Sequence, residues 1–273
     1  MSGETQPTLP LPGGVAEPAA PRRRRGILIW VVVLVVVAAL AVAAWFIAER
    51  ITRDIVTNTV RDQIITQLAL PADQQIDVGL DEPVLPQVIG GRLDRLDVSS
   101  ADVPLGDVVA DVSVRARDVP IRGDGTDIGS AEATVTLGAD QLQTLLAQVG
   151  GLPDARLTLA PPDVEVAVDL PVFGVTLPIG LDLTPGAVDG DIVLTPAAVR
   201  LGGAELNGQA LRDRFGSLAD GVVRDYPICI KDRLPAGLTL RDVRVEPDAL
   251  VADVDVDGAI VHDTALQANG SCA

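Results

Sequence analysis

The chain has 273 residues, only 2% of them aromatic, and carries a net charge of −17 at neutral pH. Residues 1–47 hold four arginines and two glutamates, so the remaining residues carry a net charge of −19. So acidic a surface repels phosphate backbones, which excludes nucleic acid as a partner. It also excludes attachment to anionic lipid through basic patches, so any contact with lipid must be mainly apolar.

The N-terminal part joins a cluster of arginines to a long apolar run. Residues 1–21 are rich in Pro, Gly, Ala and Thr without a hydrophobic period, which predicts a disordered tail. Residues 22–25 are arginines, and residues 27–47 carry no charge. At about 1.5 Å per residue, a helix over this run crosses a bilayer core. Because arginines remain cytoplasmic, we predict a single-pass anchor over residues 22–47, a cytoplasmic tail, and an exported periplasmic or cell-envelope domain over residues 48–273.

A cleaved signal peptide is the alternative interpretation of this segment. Ala41, Val42 and Ala43 form the small-x-small pattern that a signal peptidase accepts. The apolar run is longer than a usual signal core and continues past that site, which favours the retained anchor. Both interpretations export the domain, and cleavage would make it diffusible.

Hydrophobic periods predict three amphipathic helices in the exported domain. The first covers residues 49–68 and ends before a proline, the second lies near residues 142–149, and the third covers residues 207–224. Their apolar stripes are, in order, Val56, Val60, Ile64 and Leu68; Leu142, Leu145, Leu146 and Val149; and Leu211, Phe215, Leu218 and Val222.

Between these helices, apolar and polar residues alternate, which is typical of half-buried antiparallel strands. The predicted strands lie at residues 93–98 and 108–119, in a block over 155–201, and at 239–245 and 250–256. Small branched side chains dominate the apolar residues and suit β-structure. The order of elements therefore predicts an α+β fold, in which an N-terminal transmembrane helix precedes a curved antiparallel sheet wrapped on amphipathic helices.

Two cysteines, Cys229 and Cys272, lie in the exported domain. An even number of cysteines in an oxidising compartment predicts a disulfide between them. Two free thiols are the alternative, and they would be chemically exposed outside the cell.

The sequence does not predict an enzyme. His262 is the only histidine, and it lies outside any zinc-protease or nucleophile-elbow motif. The segment from Asp253 to Gly258 resembles the opening of a calcium-binding loop, but Thr264 stands where that loop needs a bidentate glutamate. Alternating Asp and Val there predict a strand with acids on its solvent face. We therefore predict no catalytic residue, no metal and no cofactor.

A series of Gly, Pro and Val patterns runs from about Glu49 to Gly258. The patterns are Pro86–Leu93, Leu96–Val98, Val103–Gly106, Arg117–Val119, Leu234–Leu240, Val243, Val245, Ala249–Leu250 and Gly258. In this order they resemble the LmeA-like family of actinobacterial envelope proteins, long described as a domain of unknown function and later associated with phospholipid binding. The resemblance implies binding of phospholipid acyl chains and a fold similar to tubular lipid-binding (TULIP-like) domains.

The leading hypothesis is a membrane-anchored, non-enzymatic protein that binds a phospholipid or a lipid-linked precursor at the outer side of the cytoplasmic membrane. Its predicted groove is lined by the second and third helix stripes, through Leu142, Leu145, Leu146, Leu211, Phe215 and Leu218. The first helix is the alternative lining. The same stripes would also fill a closed core without a ligand. The competing function is therefore a structural or adaptor protein that docks an envelope protein partner.

Overall fold

The structure is a computed structural model. It describes residues 23–67, 70–105, 108–123, 125–148, 155–172, 175–201, 204–207, 210, 213, 216 and 224–272. The chain divides into two compact units, Met1–Ala48 and Glu49–Ala273.

Helix α1 (Arg23–Gln67) supplies the described part of the first unit. From Trp30 onward it contains a stretch that is long and apolar enough to cross a membrane, and the side chains of that stretch are not buried by protein. A helix of this length and composition is compatible with a membrane span or with a signal sequence. The predicted N-terminal apolar helix is confirmed, whereas its orientation and its cleavage stay predictions. The predicted tail over residues 1–21 lies outside the described residues.

In the described residues of the second unit, six strands form a first antiparallel sheet. They are β1 (Ile76–Leu80), β2 (Arg92–Leu105), β3 (Val108–Pro120), β4 (Ser130–Gly138), β11 (Leu238–Val245) and β12 (Ala249–Val256). Their order across the sheet is β1-β2-β3-β4-β12-β11. The C-terminal hairpin therefore adds to the edge of a sheet that the first four strands begin.

A second antiparallel sheet takes the middle of the chain. Its described strands are β5 (Arg156–Ala160), β6 (Asp163–Val172), β7 (Val175–Val188), β8 (Asp191–Leu201), β9 (Ala204–Asn207) and β10 (Tyr226–Ile228). The order is β10-β8-β7-β6-β5, and β9 also pairs with β8. The predicted antiparallel sheet structure with few helices is confirmed. Its strands divide into two sheets, which the sequence did not indicate because alternation marks strands without showing which of them pair.

Few helices accompany the sheets. α2 (Val84–Gly90) ends at Gly91, whose φ of +83° suits glycine and whose N–H donates to the carbonyls of Gln87 and Val88. α3 (Ala139–Gln148) confirms the predicted second helix. Shorter turns lie at Lys231–Arg233, Gly258–Val261 and Thr264–Gln267. Most of the predicted third helix, with Leu211, Phe215 and Leu218, lies outside the described residues.

One apolar row crosses the first sheet from edge to edge. Direct cross-strand pairs link its members in the order Val78, Val98, Val114, Ala133, Val254 and Leu240. The neighbouring row on the other face carries Asp97, Arg115 and Glu132. Because successive side chains point to opposite faces, the sheet has an aliphatic inner face and a charged outer face.

The β12 and β11 side of this inner face is packed shut. Leu240, Val243 and Val254 are 5%, 4% and 9% exposed, and they pack with side chains from both sheets and from the segment after β10. These side chains are Ala133, Ala187, Ile192, Ile230, Leu238, Leu250 and Ala252. We call this cluster the closed end. The predicted disulfide between Cys229 and Cys272 forms next to Ile230 in sequence.

Candidate functional site

The β1 to β4 side of the same inner face is not packed shut. It forms a pocket of about 430 Å³, within the usual size range of small-molecule sites. Its lining is Val60, Gln63, Ile64, Gln67, Leu70, Ile76, Leu96, Val98, Ser100, Val103, Val112, Val114, Ala116, Val119, Ile128, Ala131 and Val256. We call this region the open end.

The floor of the pocket comes from alternate residues of β2 and β3. Val98 pairs with Val114 and Ser100 pairs with Val112, so these side chains stand side by side on the inner face. Although the two strands are central in the sheet, these four residues are only partly buried. Exposed apolar surface in a concavity of this kind is typical of a ligand site.

The wall of the pocket is the last part of α1. Val60, Gln63, Ile64 and Gln67 follow the spacing of one helix face. The predicted stripe of the first helix contains Val60 and Ile64, so this helix contributes two of its stripe residues to the pocket. Leu70 continues the wall after the helix ends.

Polar contacts hold α1 against β1 and α2. The Arg61 guanidinium donates two hydrogen bonds to the carbonyl oxygen of Ile76, at 2.6 and 3.2 Å. The Glu49 carboxylate accepts from the N–H groups of Val84 and Leu85, the latter at 2.9 Å. These are free N–H groups of the first turn of α2, and a carboxylate there is favoured by the helix dipole. Since polar groups position the helix, its apolar face does not need to pack on the sheet.

The polar groups of the pocket are uncharged. Ser100 Oγ accepts from the Gln74 side-chain amide at 2.8 Å and donates to the carbonyl of Gln75 at 2.8 Å, so it is satisfied within the protein. Gln63 and Gln67 are exposed and present amides at the pocket surface. The described lining contains no ionisable side chain. Such a pocket suits an aliphatic chain, and its two amides can hydrogen-bond a neutral ester.

The predicted lining on α3 lies elsewhere. Leu142 is buried, Leu146 is half-buried and Leu145 is 38% exposed, and none of them is among the described residues that line this pocket. α3 packs instead against β5, β3 and β4. The Gln143 side chain bonds the carbonyl of Ala155 at 2.7 Å and the N–H of Leu157 at 2.8 Å, which fixes the helix on β5. The other predicted residues, Leu211, Phe215 and Leu218, lie outside the described residues.

The floor residues are absent from the predicted site. The signal for them was present, because Val112, Val114 and Ala116 alternate with polar residues along β3. Alternation shows that a face is apolar. It does not show whether protein or ligand covers that face.

Ion pairs join neighbouring strands of the second sheet in a charged cluster. Arg200 of β8 pairs with Glu165, with Asp182 at 2.8 Å and with Glu205 at 3.5 Å. Burial raises the pKa of Asp182, and the Arg200 charge opposes that rise only in part. Among the described residues, no group of three His, Cys, Asp or Glu side chains is arranged to hold a metal ion. The cluster therefore serves to pair charges across four strands.

Comparison with known proteins gives one finding. The model of a family described as LmeA-like phospholipid-binding matches residues 47–255. Neither the curated proteins nor the solved structures give a match. The matched segment includes every described residue of the pocket except Val256.

Proposed function

Because the chain belongs to the LmeA-like phospholipid-binding family, we propose that it binds one phospholipid or lipid-linked precursor with an acyl chain in the open end. The single observation that carries this site is the uncharged, aliphatic pocket of about 430 Å³ between α1 and the first sheet. Each acyl methylene that leaves water there contributes about 0.8 kcal/mol. A charged headgroup finds no partner in the described lining, so it stays in solvent.

The protein acts without chemistry on its ligand. Its only histidine, His262, bonds Asp127 at 2.6 Å and does not line the pocket. The apolar part of α1 anchors the chain in the cytoplasmic membrane with the N-terminus inside, and the second unit works on the outer side. The bilayer then supplies the lipid.

A blocked pocket tests this function. In the full-length protein purified in detergent, Val114→Trp places an indole on the pocket floor, while the matched variant Arg115→Trp places it on the opposite face of β3. Both proteins are offered phosphatidylcholine and bound lipid is counted by native mass spectrometry. We expect the parent and Arg115→Trp to carry one lipid and Val114→Trp to carry none.

Two results would contradict the proposal. If the parent protein takes up no lipid, the pocket is a void of the fold, and a structural or adaptor role in the envelope becomes the better explanation. If Val114→Trp keeps its lipid while Arg115→Trp behaves as the parent does, lipid binds elsewhere on the chain. Circular dichroism of each variant verifies that the sheets remain folded.

A further inference from the structure

One end of the pocket is formed by a residue outside the sheet. Leu96, Ala116, Ala131 and Val256 form a paired row across β2, β3, β4 and β12. Ile128 lies beyond this row, in the connection that leads into β4, and its side chain lines the pocket. An acyl chain that extends along the strands therefore meets Ile128 at this end.

A tight backbone contact fixes the position of Ile128. Its N–H donates to the carbonyl oxygen of Gly258 at 3.1 Å, which ties the β3–β4 connection to the turn after β12. Beside this bond, His262 Nε2 and Asp127 Oδ1 lie 2.6 Å apart and join the same two segments. We call Asp127, Ile128, Gly258 and His262 the clasp.

The clasp requires glycine at position 258. A Cβ atom at Gly258 would lie far inside van der Waals contact with the carbonyl oxygen of Ile128. The obstacle is backbone, which cannot rotate away as the end of a side chain can. Any other residue would therefore force the backbone of Ile128 or the turn after β12 to move. Gly123 lies in the same connection, and a Cβ atom there would meet no other atom within 4 Å, so it supplies a matched comparison.

We propose that Ile128 is a specificity-determining residue that limits the length of the bound acyl chain, and that Gly258 is the positioning residue that holds it in place. This inference rests on the proposed lipid binding and adds a rule for choosing among lipids. The pocket has no charged group in its described lining with which to select a headgroup, so the length of its apolar lining is the feature that discriminates. The ligand class is a diacyl lipid selected by chain length.

Changing the size of residue 128 tests the rule. The full-length protein is offered a mixture of phosphatidylcholines from dilauroyl to distearoyl, and the retained species are identified by native mass spectrometry. Ile128→Ala should move the preferred chain to longer species by about three carbons, the number that the substitution removes. Ile128→Phe should move it to shorter species. Ile121→Ala and Ile121→Phe, at an exposed position outside the described lining, should leave it unchanged.

The glycine has its own test. Gly258→Ala should change the preferred chain length, because it displaces the residue that lines this end of the pocket. Gly123→Ala should match the parent. If Gly258→Ala does not fold, the two Ile128 variants still decide the proposal, since neither changes the backbone contact.

The outcomes separate this inference from the function on which it rests. A parent protein without bound lipid defeats the proposed function. A parent and Ile128 variants that all bind lipid with one unchanged chain preference defeat the length rule alone, and Ile128 would then only seal the β3–β4 connection. A preference that follows the size of residue 128 in both directions supports the rule.

Discussion

The two ends of the first sheet carry the same kind of residue and reach opposite results. At the closed end, Val254 and Leu240 are at most 9% exposed. At the open end, Val98 and Val114 belong to the same cross-strand row and remain half-buried. The rows are continuous through Ala133, so neither composition nor strand geometry separates the ends. What differs is the element that lies opposite.

At the closed end the opposite element is a hairpin that brings its own apolar side chains. Ala187 of β7 and Ile192 of β8 pack on the cluster, and Gly190 between them forms a bridge to Leu240. At the open end the opposite element is α1, which Arg61 and Glu49 hold by polar contacts at its sides. A helix positioned in this way leaves space over the sheet, whereas a hairpin positioned by packing removes it.

Removing the disulfide should produce the largest loss of stability without changing lipid uptake at the open end. Cys229 and Cys272 are 43 residues apart, and the chain-entropy model then gives about 4 kcal/mol. Cys229→Ser with Cys272→Ser should lower the free energy of unfolding of the second unit by that order and leave lipid uptake intact. Denaturant titration and native mass spectrometry measure the two effects. Loss of lipid with unchanged stability would show that the ends are not independent.

A matched pair of leucines gives the next largest difference. Leu240→Ala removes a 5% exposed side chain from the closed end and should cost about 3 kcal/mol. Leu96→Ala removes a half-buried side chain from the open end and should cost about 1 kcal/mol, because less apolar surface returns to water. Lipid-free protein is compared by denaturant titration. Equal losses would mean that the open end is packed as tightly as the closed end.

A larger side chain should lower stability at the closed end and lower lipid uptake at the open end. Val254→Phe overpacks the closed end and should cost about 1–3 kcal/mol with no effect on bound lipid. Val114→Phe projects into the pocket and should leave stability within about 0.5 kcal/mol of the parent while lowering lipid uptake. Thermal unfolding and native mass spectrometry distinguish the two variants. A destabilised Val114→Phe protein would indicate that the pocket closes in solution.

The smallest effects concern two acids, Asp253 on β12 of the first sheet and Asp182 on β7 of the second. Burial opposes ionisation of Asp253, but hydrogen bonds from Thr134 and Arg244 outweigh it and the pKa of Asp253 is lowered. The stabilisation that ionised Asp253 gives the fold is therefore present above its ordinary pKa of 3.8. It is lost as the pH falls through the lower pKa of the folded state. Asp253→Asn should cost on the order of 1 kcal/mol at neutral pH and nothing in strong acid.

Asp182 should show the opposite pH dependence. Burial raises its pKa, so its stabilising contribution is complete below the ordinary value of 3.8 and is lost as the pH rises through the folded pKa. At neutral pH, burial of the ionised carboxylate lowers the stability of the fold, and one of its oxygens has no hydrogen-bond partner among the described residues. Asp182→Asn should therefore be neutral or stabilising at neutral pH. Denaturant titrations at several pH values test both acids, and parallel pH profiles would contradict the assignment.

The sequence predicts which strand and helix faces are apolar better than it predicts which elements pack on those faces. Alternation along residues 108–119 placed Val112, Val114 and Ala116 on one face, and β3 has that face. The pairing of β12 with β4 was not predictable, because it joins Val254 to Ala133 across more than half of the second unit. Helix periodicity marks all three stripes equally, so it does not show which of them forms the pocket wall. The contacts of Arg61 and Glu49 show that the first helix stands at the open end.

The uncharged lining of the pocket has a consequence for kinetics. A held acyl chain breaks no ion pair on leaving, so the lifetime of the complex should not respond to ionic strength. The net negative charge of the second unit, by contrast, opposes its close approach to an anionic bilayer, so added salt should speed the loading of lipid from anionic membranes by screening that repulsion. Arrival and retention are thereby controlled by different parts of the molecule.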